Sequence, residues 1–190
     1  MALVLSAVVL CAVACTDQLE KDRALVFTGD SIIARWPVDQ SFPSQQVYNH
    51  GKSGAGISYI EEQEGKFRGS DVVVMIGTND HLLFYSDDKT DGYVENYLRA
   101  VAGLTDGSIY LFSILPREFH SDLAGVNTRI SLINNKIKEA SAAYPRVRYV
   151  DVYDMFLDGD HINYQFYSDG LHLNGYGYEV LTAQLLKAIY

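Results

Sequence analysis

The sequence predicts an α/β fold, a three-layer α/β/α sandwich on a mostly parallel sheet of about five strands. Short β-branched or aromatic runs alternate with longer segments of helical period, the pattern of crossover connections between parallel strands. The strand-like runs end in glycine and polar residues, so polar groups gather on one edge of the sheet, where such folds place their ligands. The chain has 190 residues, 48% of them apolar, enough for one domain with a substantial core.

The elements follow in order. Residues 1–14, "MALVLSAVVLCAVA", carry no charged side chain. This run is shorter than the roughly 20 residues of a spanning helix but suits the apolar core of a secretory signal. Two cuts fit it. Ala12 and Ala14 satisfy the small-x-small rule for ordinary secretion, and the same residues before Cys15 resemble a bacterial lipobox, with Ala12 where Leu is usual. The lipoprotein reading is preferred, because Cys15 would be the sole cysteine of the mature chain, with no partner for an internal disulfide. It implies a cell-envelope protein lipid-anchored through Cys15, with plain secretion as the alternative. Residues 15–22 then form a tether and 23–190 the folded domain.

Strands are expected in "ALVFTGDS", "QQVYNHG", "DVVVMIGTND", "SIYLFSILP" and "VRYVDVYD". Between them, apolar residues at 94, 97, 98, 101 and 104 mark one helix, and Val126, Ile130, Ile133, Ile137 and Ala140 the next. A last helix carries Leu181, Leu185, Ala188 and Ile189 behind an Asn174 cap. The formal charge is −9 and no run of Lys or Arg forms a patch, which argues against nucleic acid or an anionic membrane surface as partner.

"NHGKSGAG", residues 49–56, tempts with two motifs and fits neither. A phosphate-binding loop requires glycine at 46, which is Gln46. A nucleophile elbow requires glycine at 55, which is Ala55. Three other pieces make chemical sense together. Ser31 follows the first strand directly, which exposes its hydroxyl at the sheet edge, although a serine there is commonly only a helix cap. Asp169 and His172 stand three residues apart, so the carboxylate can accept the Nδ1 proton and leave Nε2 as a base; a surface ion pair would look the same. Asn79 ends the third strand, where its amide is either an Asx turn or a donor to an oxyanion. Gly51, just past the second strand, could bring a second backbone donor, and Ser31 N–H a third.

Ser31, Gly51, Asn79 and His172 occur in the chain order of the SGNH, or GDSL, hydrolase superfamily. "FTGDSI", "NHGKSGAG", "IGTND" and "DGLHLN" resemble its four sequence blocks across nearly all of the mature length. "GDSIIARW" with "SILPR" is most similar to its acetylhydrolase-like branch. The resemblance implies a flavodoxin-like three-layer sandwich and a carboxylic ester hydrolase. It further implies Ser31 as nucleophile, His172 as base and acid, Asp169 as its orienting partner, and Ser31, Gly51 and Asn79 as the oxyanion hole. No metal or organic cofactor is implied, and His50, His81, His120 and His161 lie scattered without ligand-like spacing. Asp30 and Asp80 read as loop-shaping residues, and Trp36 as a wall of the substrate pocket. The expected partner is a small-molecule or glycan ester. The leading activity is removal of a short acyl group. Lysophospholipase or thioesterase action, or a silent glycan-binding lipoprotein, are the alternatives.

Overall fold

Alternating side chains on the central strands explain the layering. The computed structural model describes residues 23–85 and 87–190; the expected signal sequence, Cys15 and the expected tether lie outside the described residues. Strand β1 (Leu25–Gly29) leads into helix α1 (Ser31–Ala34) and α2 (Val38–Ser41). Then come β2 (Val47–Gly51), α3 (Ile57–Glu61), β3 (Asp71–Met75), a 3-10 helix (Thr78–Tyr85) and α4 (Asp87–Ala102). β4 (Ile109–Phe112), α5 (Val126–Ser141) and β5 (Val147–Val150) follow. A small antiparallel pair, β6 (Leu157–Asp158) and β7 (His161–Ile162), precedes α6 (Gly175–Ile189).

The five main strands are all parallel in the order β2-β1-β3-β4-β5. In β3, Val72 and Val74 face a core shared with α3, α4 and α5, while Val73 and Met75 face a second core shared with α1, α2 and α6. A parallel strand covered on both faces must be apolar at every position, and "VVVM" is. The period-2 alternation then sends successive residues to opposite cores.

The helices follow the expected stripes. Ile130, Ile133 and Ile137 of α5 are fully buried, as are Tyr97, Leu98 and Val101 of α4. Asn174 caps α6 by accepting from Gly177 N–H at 3.2 Å. The chain order reverses at β1, with β2 on one side and β3 on the other. Ligands of open α/β sheets bind at such a switch point. Gly51 is the last residue of β2, and the segments after β1 and β3 hold Ser31 and Asn79, so three adjacent strands deliver all three to one edge.

Candidate active site

Ser31 owes its place to the tight exit from β1. Gly29 lies so close to β3 that a Cβ there would sit 1.9 Å from the Met75 carbonyl oxygen. Its φ of 154° also lies where side-chain-bearing residues rarely go. Asp30 then caps α1, its Oδ1 accepting from Ile32 N–H at 2.8 Å. Ser31 becomes the first helical residue, where no preceding helical carbonyl is available to its N–H.

Ser31 Oγ lies 3.0 Å from His172 Nε2, and His172 Nδ1 lies 2.7 Å from Asp169 Oδ2. Asp169 Oδ1 also accepts from the backbone N–H groups of His172 at 2.7 Å and Leu171 at 3.1 Å. Partial burial opposes ionisation of Asp169, but these N–H groups and the imidazole outweigh it and hold the carboxyl below its usual range. With Nδ1–H donated to a carboxylate, Nε2 can accept the Ser31 hydroxyl proton. The residues are 141 and 3 positions apart along the chain. The loop before α6 is what closes the longer gap.

Asn79 stands exposed just past β3 and donates one amide hydrogen to the Ala55 carbonyl at 2.8 Å, which fixes its plane and leaves the second hydrogen for another acceptor. Gly51 is a packing requirement: a Cβ there would sit 2.2 Å from Ala34 N and 2.6 Å from Ala34 Cα, inside α1. Its N–H is engaged by Asn49 Oδ1 at 2.9 Å, and Asn49 in turn donates to the Ile33 and Trp36 carbonyls. Of the three backbone and amide donors, Gly51 is therefore the one already satisfied in this arrangement.

Trp36 does not line the site. It is 2% exposed and packs edge-on against Phe27 at 5.2 Å and Phe112 at 5.8 Å, with Tyr178 at 6.0 Å. Its Nε1–H donates to Thr182 Oγ1 at 3.2 Å. Because α1 lasts only four residues, the chain turns at Arg35 and the indole enters the core beneath α6. A large apolar ring with one satisfied polar tip is a core anchor.

Asp30 and Asp80 do shape loops. Asp80 Oδ2 accepts from Ile57 N–H at 2.9 Å and from Tyr93 Oη at 3.1 Å. Asp30 is 1% exposed and its Oδ2 has no hydrogen-bond partner. Burial, aided by the nearby Asp80, raises its carboxyl from 3.8 to about 7, against the pull of Ile32 N–H and Arg117. Arg117, the last residue of "SILPR", is buried and paired with Asp122, a role that the motif alone does not give it. Among the described residues no group of three or more His, Cys, Asp or Glu side chains could hold a metal ion.

Residues 27–180 match the family of GDSL-like lipases and acylhydrolases. The chain belongs to that family. With it, the chain is a carboxylic ester hydrolase acting on small-molecule esters. It is similar to the platelet-activating factor acetylhydrolase IB subunit alpha1 of Rattus norvegicus, 26% identical over 175 residues covering 85% of this chain and 73% of that one. The Mus musculus subunit matches to the same extent. A GDSL-like lipase of Bacteroides thetaiotaomicron shares the fold with a TM-score of 0.74 and 22% identity, over 90% of this chain and 89% of the other. An acetyl xylan esterase of Geobacillus stearothermophilus does so with a TM-score of 0.66 and 16% identity, over 88% and 94%.

Proposed function

We propose that this GDSL-family chain is a serine esterase that removes a short acyl group, acetyl above all, from a carbohydrate or other small ester. The observation that carries this reading is the hydrogen-bonded series from Ser31 through His172 to Asp169. Ser31 Oγ attacks the ester carbonyl carbon while His172 Nε2 takes its proton. The carbonyl oxygen becomes an oxyanion, met by Ser31 N–H and the free hydrogen of the Asn79 amide. Gly51 N–H joins them once it turns from Asn49. Collapse breaks the bond to the alcohol oxygen, which leaves with the proton from His172. Water then gives a proton to His172 and attacks the acyl-Ser31 carbonyl. The carboxylic acid departs and the proton returns to Ser31.

Acetyl is favoured by the names of two relatives, an acetyl xylan esterase and an acetylhydrolase subunit. The absence of a long apolar insertion in the sequence points the same way. One observation favours a longer acyl group. Leu82 and Leu83, 63% and 44% exposed, stand in the 3-10 helix that contains Asn79. Each buried CH₂ contributes roughly 0.8 kcal/mol, so an enzyme using that surface would gain steeply with chain length. A series of p-nitrophenyl esters from acetate to palmitate, run beside acetylated xylan, separates the two. A maximum at acetate to butyrate supports the acetyl reading; a maximum at octanoate or beyond replaces it with the lysophospholipase or thioesterase one.

Attachment to a membrane of the bacterial cell envelope through lipid on Cys15 completes the reading. It rests on the small residues at 12 and 14 before that cysteine. Cys15→Ser should release the full-length protein to a soluble fraction, and persistence on the membrane refutes the anchor.

A further inference from the structure

Three consecutive residues, 116–118, touch both halves of the site. The Pro116 carbonyl accepts from Tyr167 Oη at 2.6 Å, and Glu118 N–H donates to the Gly170 carbonyl at 2.8 Å. Between them the Arg117 side chain turns the other way and grips Thr78. Gly170 follows Asp169 and Thr78 precedes Asn79. One short segment therefore ties the loop of the acid–base pair to the loop of the amide donor.

Arg117 is 3% exposed, and its guanidinium is used on each side. Nε donates to Asp122 Oδ2 at 3.0 Å and Nη2 lies 2.6 Å from Asp122 Oδ1. Nη1 donates to the Thr78 carbonyl at 2.8 Å and to Thr78 Oγ1 at 3.2 Å, and lies 3.3 Å from His81 Nδ1. Its backbone is fixed by Asn127, which accepts from the Arg117 N–H and donates to its carbonyl. Asn134 pins Ile114 in the same double fashion. Taking two charges out of water is costly, and apolar replacements are often as stable, so such a pair contributes more to arrangement than to stability.

We infer that Arg117 is a positioning residue, which sets the Asn79 amide at a fixed distance from the Ser31–His172 pair. The inference rests on the esterase reading above. A lysine ammonium does not reproduce the fork: its three donors radiate from one nitrogen, so it loses the paired grip on Asp122 that the planar guanidinium combines with its contact to Thr78.

The test is Arg117→Lys, alone and combined with Asn79→Ala, since Arg117→Ala strands a buried carboxylate and probes folding instead. In folded Arg117→Lys protein, kcat on p-nitrophenyl acetate should fall by roughly 10²-fold with KM little changed. In the Asn79→Ala background the same substitution should lower kcat far less, because both changes remove one interaction. The Asn79 side-chain amide signal in a ¹⁵N–¹H spectrum should also shift. Losses that multiply, a rise confined to KM, or an unmoved amide signal would overturn the inference. If Arg117→Lys does not fold, Asp122→Asn keeps the guanidinium, loosens its fork, and is read by the same three criteria. Should Ser31→Ala retain wild-type turnover, the esterase reading fails instead, and the amide signal still decides whether Arg117 positions Asn79.

Discussion

Asp30 does two things that conflict. It caps the helix that presents Ser31, and it keeps one carboxyl oxygen buried without a partner. Its carboxyl is raised to about 7 by that burial. Between the ordinary value of 3.8 and about 7, the folded chain holds a proton that the unfolded chain releases. This group's contribution to stability therefore falls as pH rises through that window, by up to about 1.4 kcal/mol per pH unit. Asp30→Asn keeps a capping oxygen and removes the charge. Its stability relative to wild type should climb between pH 4 and pH 8 in urea unfolding. A difference constant with pH would show that Asp30 does not titrate there. Trp36 gives a second test at this scale. With the indole fully packed between Phe27, Phe112 and Tyr178, Trp36→Ala should cost roughly 3–5 kcal/mol of stability. The acyl-length preference of the surviving folded protein should not move, and a changed preference would return the indole to the pocket.

Glycines separate packing from propensity at the scale of elements. At Gly51 a Cβ would enter the α1 backbone, so Gly51→Ala should displace the helix that carries Ser31, lowering both the melting temperature and kcat. Gly92, inside α4, has no neighbour within 4 Å of a Cβ and an ordinary φ. Gly92→Ala should instead stabilise by roughly 0.5–1 kcal/mol with turnover unchanged. Equal effects from the two would mean that β2 and α1 do not meet as described. The main elements were legible because each announces itself by period: "DVVVM" as a doubly covered strand, the isoleucines of α5 as one stripe, Asn174 as a cap. The pair β6–β7 was not, since two residues per strand have no period to read. The Ser31–His172–Asp169 contacts were legible as a candidate series because Ser31 directly follows a strand and Asp169 lies within one turn of His172. Trp36 misled because closeness in sequence to Ser31 says nothing about direction once a four-residue helix turns the chain inward. Arg117 and the orphaned oxygen of Asp30 stayed hidden for a related reason. Arg117 reaches across 39 residues to Thr78, and Asp30 lies against the end of β3 at Met75, contacts that local pattern cannot report.

Across the whole molecule, the parallel sheet brings the ends of β2, β1 and β3 to one edge, and the loop before α6 brings residues 169–172 to it. Each half is held by its own network, and residues 116–118 join them. A serine hydroxyl at its free pKa is a weak nucleophile, so the value of this arrangement lies in activating one hydroxyl out of many. That can be measured without knowing the substrate. The purified chain is treated with a fluorophosphonate at pH 7.5 and the adduct located by mass spectrometry of its peptides. Wild type should carry one phosphonyl group, on Ser31; Ser31→Ala should carry none, and His172→Ala should label far more slowly. Folded wild-type protein that stays unlabelled, or Ser31→Ala protein that labels as fast as wild type, means that the Ser31–His172–Asp169 series does not activate the serine.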